Sequence, residues 1–565
     1  MAQRVLIIGG VAGGMSAATR LRRLDERAEI VVFERGGHVS FANCGLPYYL
    51  GGVIDERDSL LLQNPTSLGR RFGLDVRVNT EVVSIDAADK TVLVRDLQTG
   101  AEVTEHYDNL VLSPGAAPRL PDIEGAERLH TLRDIADVDR IMAALDDESD
   151  SPIVRSVAVL GAGFIGVEAA ENLLLRGRAV TVIQRGPQVL SSLDVEMAAP
   201  VAERMRAAGI TLRLGVHATA IDELSVSLSD GSVVAADLVL AATGVTPDTA
   251  LARAAGLTIG RSGGIWVDEF QRTSDPSIYA VGDAAEKTDQ ITGEGAVVSL
   301  AGLANRHGRL AADAIAGRAR PAKPALGTVI VGFDGLTIAQ TGWSERALVA
   351  QGRAVRVIHT HPSNHAGYYP GAEALSLKLL IDPATDAILG AQAVGGSGVD
   401  KRIDVIATAM SAGISASELA DLELAYAPQY GSAKDPVNML GYIAGNQAAG
   451  ADPTIQWHEL EREVAAGALL LDVRGAGQLT EGLIPGAVHI PVEELRAREA
   501  TLPPGPLIVH CRVGQSAHTA QRLLTQLGRD VRNLDGGYLT WRAATAYSSD
   551  ASAAKRHTES ASERA

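Results

Sequence analysis

Two glycine-rich turns, each set between a short apolar run and a helical pattern, constrain this chain more than any other feature. The first turn, residues 9–14, follows the apolar run 4–8. The second, residues 161–166, follows the apolar run 157–160, a full domain length further on. Glycine is required where a backbone approaches a pyrophosphate and where a helix packs closely on a strand. The turns therefore predict two βαβ units and two nucleotide sites, rather than an array of repeats.

The second turn has the complete GxGxxG spacing, whereas the first departs from it. Val11 stands at the middle glycine position of the first turn, and Gly10 and Gly13 are predicted to relieve the resulting crowding. The helix after each turn would present backbone N–H groups to an anion. The predicted cofactor-binding residues of the two turns are Gly9, Gly10, Val11, Ala12, Gly13, Gly14, Gly161, Gly163, Gly166 and Glu168.

The residue that ends the second strand of each unit bears on which nucleotide binds. Glu34 follows the predicted strand 29–33, at the spacing at which a carboxylate accepts a hydrogen bond from a ribose hydroxyl. In the other unit Gln184 and Arg185 replace the acid. Arg185 could pair with a 2′-phosphate, or it could be an ordinary surface arginine. We therefore expect the chain to use either coenzyme and to accept NADPH.

Composition excludes several classes of protein. The 565 residues carry a formal net charge of −17, which argues against general nucleic-acid binding. Two cysteines cannot make a disulfide scaffold, and without CxxC or HExxH patterns we expect no metal site. The apolar runs are too short to span a membrane, and no cationic segment precedes the first. The expectation is a soluble, cytoplasmic protein.

Three further segments resemble motifs of the flavoproteins that bind two dinucleotides. They are residues 112–116, 242–247 and 273–284, which with the first glycine turn cover residues 1 to about 320 in the expected order. In that family the aspartate matching Asp283 holds the ribityl chain. The resemblance implies a pyridine nucleotide–disulfide oxidoreductase that binds FAD at its first unit and NAD(P)H at its second. It adds four residues to the predicted cofactor site: Gly115, Gly244, Asp283 and Ala284.

Cys44 has no second cysteine within reach, because the only other one is Cys511. A lone thiol cannot form an internal disulfide, so it has to cycle as a thiolate with a mixed disulfide, a sulfenate or a persulfide. Its position before an apparent helix predicts a lowered thiol pKa. A buried structural cysteine is the alternative interpretation.

The segment around Cys44, residues 40–48, resembles the single-cysteine branch of that family. This branch holds coenzyme A-disulfide reductases, NADH peroxidases and NADH oxidases. Its peroxidase-type members usually place a histidine in the first glycine turn, where this chain has Val11 and Ala12. Neither side chain can move a proton, which disfavours a peroxidase.

Residues 364–372 and 425–428 resemble segments of coenzyme A-disulfide reductases, in which two tyrosines reach the active site of the partner subunit. Tyr368 and Tyr426 are the matching positions, and amphipathic packing at an interface is the alternative. Arg23 matches the branch's coenzyme A-binding arginine, whereas Arg22 is expected on a solvated helix face. The predicted substrate-binding residues are Arg20, Arg23, Ser40, Asn43 and Arg71.

The last hundred residues resemble a rhodanese domain in four ordered motifs: residues 471–474, 482–487, 510–516 and 534–541. Cys511 ends a predicted strand, and the loop to Ser516 precedes a helix. Successive backbone N–H groups in such a loop stabilise a thiolate or a persulfide. Leu483 stands where a histidine is common. The resemblance implies a sulfur carrier at Cys511, although some rhodanese domains are regulatory or inert.

Together these features predict an α/β protein with two Rossmann-like domains, an α+β dimerisation domain and a rhodanese-like α/β domain. The expected boundaries are 1–120 with 246–320 for FAD, 121–245 for NAD(P)H, 321–445 for dimerisation, 446–453 for a linker, 454–547 for rhodanese and 548–565 for a disordered tail.

The function that the resemblance implies is that of a homodimeric NAD(P)H-dependent flavoprotein. It would reduce coenzyme A-disulfide, or the persulfide or polysulfide, through Cys44, with Cys511 carrying sulfane sulfur. Two alternatives stay open: an NADH oxidase or peroxidase that cycles Cys44 through a sulfenate, and a non-catalytic redox sensor that signals through Cys511.

Overall fold

A computed structural model describes residues 2–146 and 154–546 of the chain. The segment 548–565, predicted from composition to be disordered, lies outside the described residues. The described chain divides into two compact units. The first holds residues 2–146, 154–161, 168–181 and 218–327, and the second holds residues 162–167, 182–217 and 328–546.

The first third of the chain is rich in short strands. Its elements are β1 (Arg4–Ile8), α1 (Ala12–Arg22), β2 (Glu29–Phe33), α2 (Leu46–Leu50), α3 (Pro65–Phe72), β3 (Asp75–Arg77), β4 (Thr80–Asp86), β5 (Thr91–Asp96), β6 (Glu102–His106), β7 (Asn109–Leu112), β8 (Ala116–Pro118), β9 (Leu129–His130) and α4 (Ile135–Asp146).

The middle third repeats the strand–turn–helix pattern. Its elements are β10 (Ser156–Leu160), α5 (Phe164–Leu175), β11 (Ala179–Gln184), α6 (Val195–Ala207), β12 (Thr211–Leu214), β13 (Ala218–Ile221), β14 (Ser225–Leu228), β15 (Val233–Ala235), β16 (Leu238–Ala241), β17 (Val245–Pro247), α7 (Ala250–Ala254), β18 (Ile278–Ala280), β19 (Lys287–Thr288), β20 (Gly295–Ala296) and α8 (Ala301–Ile315).

The last part begins with longer strands and ends in a small α/β region. Its elements are β21 (Val329–Phe333), β22 (Leu336–Gly342), α9 (Glu345–Ala350), β23 (Arg356–Thr360), β24 (Leu375–Ile381), β25 (Ile388–Gly395), α10 (Val399–Ala412), α11 (Pro436–Ala448), β26 (Thr454–Ile455), α12 (Leu460–Ala465), β27 (Leu469–Asp472), β28 (Val488–His489), α13 (Val492–Arg498), β29 (Leu507–His510), α14 (Gln515–Gln526) and β30 (Val531–Leu534).

A five-stranded parallel sheet in the order β18-β7-β1-β2-β3 organises the first unit. Its strands are continuous apolar runs because both faces of the sheet are covered. On one face α1 packs against α8, and on the other the antiparallel strands β4 and β5 contribute to the core. The carboxyl ends of β1, β2, β7 and β18 meet at one edge, which is where nucleotides bind in open α/β sheets.

The second strand–turn–helix unit also forms where the glycine spacing predicts it. Strand β10 pairs in parallel with β16, and β16 pairs in parallel with β9. At the start of β11 the backbone N–H of Ala179 donates to the carbonyl of Arg155, just before β10. The βαβ hydrogen-bond pattern therefore recurs here.

The second unit contains two more sheets. Strands β21-β22-β25-β24-β23 form an antiparallel sheet covered by α10, and β26-β30-β29-β27-β28 form a parallel sheet with α13 and α14 against it. The predicted α+β domain and small α/β domain are thus present, which confirms the predicted fold class. One detail differs: α11 runs to Ala448, so the predicted linker 446–453 begins inside a helix.

Within the described ranges 2–146 and 154–546, no helix is both long and apolar enough to cross a membrane.

We predict that Gly9→Ala destabilises the first unit. Gly9 has φ +98°, and a Cβ there would lie 2.1 Å from the carbonyl oxygen of Ser113. Strain of this kind costs about 1–3 kcal/mol before the clash is counted. The expected result is a lower Tm and weaker retention of a bound dinucleotide, measured by thermal unfolding and by cofactor absorbance.

Gly163→Ala is the matched control, because no heavy atom lies within 4 Å of a Cβ at Gly163. It should unfold close to the wild-type Tm in the absence of added nucleotide. Equal Tm values for the two variants would contradict the prediction.

Candidate active site

The first glycine turn is held closed by Glu34. Its carboxylate accepts hydrogen bonds from the backbone N–H of Gly10 and of Gly36, both at 2.8 Å. Burial raises the pKa of this carboxyl, and the two backbone hydrogen bonds oppose that shift. Glu34 therefore lies at the carboxyl end of β2 as its spacing predicts, with its position fixed by the turn itself.

Three glycines of this turn pack too closely for side chains. A Cβ at Gly14 would lie 1.9 Å from the carbonyl oxygen of Gly9, and one at Gly13 would lie 2.8 Å from the hydroxyl of Ser113. At Gly10 a Cβ would meet Val39 at 2.5 Å. Val11 is the N-cap residue of α1, and Ala12 is the first residue of that helix. Gly10 and Gly13 are therefore required by their contacts with Val39 and Ser113, and the relief of crowding from Val11 stays a prediction.

A cavity of about 660 Å³ opens at this edge of the sheet. The glycine turn, the end of β2 and the segment after β7 line it, through residues that include Gly9, Val11, Glu34, Ser113, Gly115 and Arg133. Its size and the glycine turn in its wall fit an elongated dinucleotide. The cavity is the strongest structural support for a FAD site in this unit.

Asp283 forms an ion pair with Arg133 at 2.8 Å. Asp283 follows β18 in a short 3₁₀ turn, Gly282–Ala284, and Ala284 is buried behind it. Arg133 also lines the cavity, and a Cβ at Gly115 would lie 3.4 Å from its guanidinium. Sequence reasoning missed Arg133, because nothing in its local pattern separates it from other surface arginines.

The two segments predicted to be partners do meet. Strand β8, just after Gly115, pairs antiparallel with β17, just after Gly244. Gly244 has φ +96°, and its carbonyl accepts a hydrogen bond from the N–H of Arg119 at 2.9 Å. A two-stranded link therefore forms between the segments 112–116 and 242–247.

The second glycine turn repeats part of this arrangement with an amide in place of the acid. Gln184 Oε1 accepts a hydrogen bond from the backbone N–H of Ala162 at 3.0 Å. A Cβ at Gly161 would lie 2.4 Å from the carbonyl oxygen of Ala242, and Gly166 is buried in α5. Arg185 is exposed and has no charged partner among the described residues, which leaves it available to a phosphate.

Cys44 lies on a short 3₁₀ turn, Asn43–Gly45, immediately before α2. Its side chain is exposed, and its Sγ is 3.7 Å from Asn43 Oδ1. The chain reaches this turn through Ser40, whose φ is +49° and whose N–H donates to the carbonyl of Gly10. The first glycine turn therefore fixes the path of the cysteine segment, and both Ser40 and Asn43 lie beside it.

The prediction that a helix N-terminus lowers the pKa of Cys44 is wrong, because the groups of the protein together raise it. Partial burial is the largest influence and raises the pKa of the thiol, and the negative charge of Glu168 raises it further. Arg133 opposes both effects but does not overcome them. Helix α2 has only five residues, so its dipole is small.

Glu168 contacts the cysteine segment through Tyr48, whose hydroxyl donates to Glu168 Oε1 at 3.2 Å. Burial raises the pKa of Tyr48 to about 12, and the charge of Glu168 adds to this shift. Glu168 was predicted to bind a nucleotide because of its place after the second glycine turn. Within the first unit, Glu168 accepts a hydrogen bond from Tyr48, and its charge acts on Cys44.

Tyr368 and Tyr426 come together although 57 residues separate them in the chain. Their hydroxyl oxygens are 3.0 Å apart, and the side chains are 77% and 49% exposed. The hydrogen bond that Tyr368 shares with Tyr426 raises the pKa of Tyr368. In the single chain both phenols are therefore open to a ligand or to a partner surface.

The arginines of α1 and α3 differ in their surroundings. Arg22, expected on a solvated face, is instead buried, and its guanidinium donates to the carbonyls of Phe72, Gly73 and Glu26. These carbonyls belong to the end of α3 and to the loop after α1. The local sequence around Arg22 gives no sign that the end of α3 packs against it.

The predicted coenzyme A-binding arginines divide into two groups. Arg20 pairs with Asp313 of α8 at 2.6 Å, so its charge is already neutralised. Arg23 and Arg71 are exposed, and Arg71 stacks over Phe72 at 5.3 Å. These two have no carboxylate partner within the described part of the chain and fit a phosphate-binding role better than Arg20 does.

Cys511 begins the loop that joins β29 to α14. Its side chain is 3% exposed, and Gly514 in that loop has φ +90°. The backbone N–H groups of residues 512–516 have no hydrogen-bond acceptor among the described residues. Arg512 is held beside the loop by Glu481, with two 2.8 Å contacts. Successive N–H groups without an acceptor are what an anion-binding loop requires, and the predicted binding of a thiolate or persulfide stays a prediction.

One acidic cluster has the spacing of a metal site but is filled by a lysine. Asp194, Glu196 and Glu345 converge, and the buried Lys378 Nζ lies 3.0 Å from Asp194 and 2.6 Å from Glu345. Lys378 also bonds Glu196, and these charges raise its pKa despite its burial. The cluster is satisfied by its own cation.

Three regions of the chain match known protein families. Residues 3–308 match the pyridine nucleotide-disulphide oxidoreductase family, residues 328–436 match its dimerisation domain, and residues 456–544 match the rhodanese-like domain.

Three relatives are similar over most of the chain. A coenzyme A disulfide reductase of Staphylococcus haemolyticus is 34% identical over 443 residues, which is 78% of this chain and 99% of the relative. The crystal structure of reduced Bacillus anthracis CoADR-RHD is 44% identical with a TM-score of 0.94, covering 96% of this chain and 98% of that one. A NAD-dependent persulfide reductase from A. fulgidus is 35% identical with a TM-score of 0.89, covering 95% and 100%.

We predict that Glu168→Gln lowers the apparent pKa of Cys44. The carboxylate of Glu168 repels the thiolate, so removing its charge favours the ionised form and makes the thiol react faster at pH 8. The measurement is the pH dependence of iodoacetamide alkylation in a Cys511→Ser background, in which Cys44 is the only thiol.

Glu203→Gln is the control, since it removes the same charge from an exposed position on α6. It should leave the alkylation profile unchanged. A profile for Glu168→Gln that coincides with this control would refute the assigned influence of Glu168.

Proposed function

The chain belongs to the pyridine nucleotide-disulphide oxidoreductase family, and from that premise we propose that it reduces coenzyme A-disulfide or coenzyme A-persulfide through Cys44. It is an NAD(P)H-dependent flavoprotein reductase with a C-terminal rhodanese domain. The observation that carries the proposal is the placement of its two free cysteines. One is exposed on a turn fixed by the first glycine turn, and the other begins the rhodanese loop.

FAD and NAD(P)H are the cofactors. In the proposed sites the first glycine turn, Glu34 and Asp283 hold FAD, and the second glycine turn with Gln184 and Arg185 holds NAD(P)H. Bound FAD supplies the two electrons that NAD(P)H delivers. The neutral Gln184 and the unpaired Arg185 leave room for a 2′-phosphate, which supports acceptance of NADPH alongside NADH.

Cys44 acts as the nucleophile. Its thiolate attacks one sulfur of coenzyme A-disulfide, the S–S bond breaks, and one coenzyme A leaves as its thiolate. A two-electron reduction then cleaves the mixed disulfide between Cys44 and coenzyme A. This step releases the second coenzyme A and regenerates the Cys44 thiolate. With coenzyme A-persulfide, attack on the sulfur next to carbon releases hydrosulfide instead, and the same mixed disulfide follows.

The charges around Cys44 set the conditions for this step. Because Glu168 and burial favour the protonated thiol, Arg133 is the protein cation that opposes them. Arg133 also binds Asp283. We propose that Arg133 supplies a positive charge that acts both on Asp283, the proposed ribityl-binding residue, and on the sulfur of Cys44.

Tyr368 and Tyr426 are assigned to the departing coenzyme A thiolate. A phenol can donate a hydrogen bond to a thiolate without bringing charge of its own, and the second phenol orients the first. In the coenzyme A-disulfide reductases that these segments resemble, the two matching tyrosines reach the active site of the partner subunit. The match to a dimerisation domain supports a homodimer in which the pair acts across the interface.

Cys511 is assigned to carry sulfane sulfur. The unbonded N–H groups of residues 512–516 suit a persulfide anion, and Arg512 is fixed beside them by Glu481. A sulfane carrier has no task in the reduction of plain coenzyme A-disulfide. This favours a persulfide or polysulfide as the physiological substrate. Two free thiols also suit the reducing cytoplasm, where we place the enzyme.

The proposal is tested by anaerobic NADH and NADPH oxidation with four acceptors: coenzyme A-disulfide, coenzyme A-persulfide, polysulfide and peroxide. We expect Cys44→Ser to lose reduction of both coenzyme A compounds, because the nucleophile is gone. We expect Cys511→Ser to retain coenzyme A-disulfide reduction.

Three outcomes would count against the proposal. Wild-type enzyme that leaves coenzyme A-persulfide untouched would limit it to the disulfide. Peroxide consumption matching NADH loss would establish the sulfenate alternative instead. Undiminished reduction in Cys44→Ser would remove Cys44 from the reaction.

A separate prediction concerns the tyrosine pair. Tyr368→Phe and Tyr426→Phe should each lower kcat for coenzyme A-disulfide by about tenfold or more, since each removes a hydroxyl that serves the leaving thiolate. Tyr430→Phe is the control, because Tyr430 is 69% exposed on the same segment and its hydroxyl makes no hydrogen bond among the described residues. Equal kcat in all three variants would assign the pair to packing.

A further inference from the structure

His359 lies at the end of strand β23, buried between two carboxylates. Its Nδ1 is 2.6 Å from Asp535 of the rhodanese region, and its Nε2 is 3.0 Å from Glu196 of α6. Its side chain is 2% exposed. Its backbone N–H also donates to the same Asp535 oxygen at 2.9 Å. One residue of the dimerisation sheet therefore binds Asp535 twice.

The groups around His359 determine its protonation state. Burial alone would lower the pKa of His359, but hydrogen bonds to Asp535 and Glu196 and the charge of Asp535 raise it to about 9. Lys378 opposes this shift and is itself neutralised by Glu196, Asp194 and Glu345. His359 is therefore an imidazolium that donates from both nitrogens.

A second histidine of the same region contacts the same rhodanese segment. His361 Nε2 is 2.8 Å from the hydroxyl of Thr540, and its Nδ1 is 3.0 Å from Ser376 on β24. A Cβ at Gly536 would lie 2.7 Å from His359 Cβ and 2.1 Å from Thr540 Oγ1, so the backbone here approaches the sheet as closely as glycine allows. Residues 535–540 are thus held at both ends by β23 and the residue that follows it.

The other side of this segment supports the Cys511 loop. The N–H of Tyr538 donates to the carbonyl of Cys511 at 2.9 Å, and the N–H of Leu539 donates to that of Arg512 at 3.0 Å. A Cβ at Gly537 would lie 2.6 Å from the carbonyl oxygen of Cys511 and 2.9 Å from the N of Gly514. A displacement of residues 535–540 would therefore be transmitted to the loop that begins at Cys511.

We propose that His359 and His361 are positioning residues for the Cys511 loop, so that the dimerisation sheet forms a structural part of the sulfurtransferase site. This inference rests on the proposed sulfur-carrying function of Cys511. A rhodanese domain that depends on a neighbouring sheet in this way transfers sulfur fully only when that sheet is folded against it.

The test compares two variants in the full-length, FAD-loaded enzyme: His359→Gln and Thr540→Val. Thr540→Val keeps the side-chain shape, removes only the contact to His361, and leaves the buried charges untouched. His458→Gln is the matched control, because His458 is an exposed histidine of the rhodanese region that contacts only the ring of Trp457 in the described chain. The assay is sulfur transfer from thiosulfate to cyanide, with kcat and KM determined separately.

A positioning role predicts that kcat for sulfur transfer falls by about tenfold in His359→Gln, because misplaced N–H donors stabilise the transferring sulfur less well. The thiosulfate KM should change by less than about twofold, and coenzyme A-disulfide reduction should stay within about twofold of wild type. Thr540→Val should show the same split with a smaller fall in kcat. His458→Gln should match wild type.

A parallel loss of sulfur transfer and coenzyme A-disulfide reduction would overturn the inference, since it would indicate general damage to the fold. Wild-type kcat in both His359→Gln and Thr540→Val would overturn it as well.

A second measurement separates this inference from the proposed function. In a Cys44→Ser background Cys511 is the only thiol, and its alkylation rate reports the loop directly. Wild-type enzyme that transfers no sulfur would defeat the proposed function, yet an alkylation rate changed by His359→Gln would still support the positioning role. An unchanged alkylation rate would refute that role.

Discussion

The close approach of backbone to backbone at the first glycine turn is the constraint on which the first unit depends. Gly14 packs on the carbonyl of Gly9, Gly9 packs on the carbonyl of Ser113, and a Cβ at Gly308 of α8 would lie 2.2 Å from the carbonyl of Gly13. These contacts bring α1, α8 and the end of β7 together around one point. The same turn anchors Glu34 and, through Gly10, the segment that carries Cys44. The proposed cofactor cavity and the position of the Cys44 thiol therefore depend on the same turn.

In the polypeptide without cofactors, the charges around Cys44 disfavour ionisation of its thiol. Glu168 and partial burial raise the pKa of Cys44, and Arg133 only partly offsets them. A nucleophilic thiol in this setting needs further stabilisation of the thiolate from the groups it works with. This is consistent with a cysteine that reacts within a loaded active site and stays protected as a thiol otherwise.

The second unit places its charges differently, because they are buried and paired. Lys378 and His359 are surrounded by Asp194, Glu196, Glu345 and Asp535, with every carboxylate in contact with a cation. Buried ion pairs of this kind contribute more to a unique geometry than to net stability. Here the geometry they define runs from α6 through β23 to the turn that supports Cys511. The arrangement joins the rhodanese-like region to the antiparallel sheet of the same unit through side-chain contacts.

The local pattern of the sequence determined the elements that depend on neighbours in the chain. The two glycine turns, strands such as β1, β2 and β29, and the positions of Cys44 and Cys511 follow from spacing, because backbone dihedral preferences and apolar periodicity act over a few residues. The family resemblance added the tyrosine pair, which no spacing argument would join.

Only the tertiary structure decided which charges meet. Arg22 proved buried, Arg20 proved paired with Asp313, Glu168 proved close to Cys44, and Arg133 and His359 were not anticipated at all. Ionic contacts depend on distances in space of a few ångströms between residues far apart in the chain, and a linear pattern carries no record of them. The sequence therefore determined the local setting of the two thiols, and the folded chain determined which charges surround them.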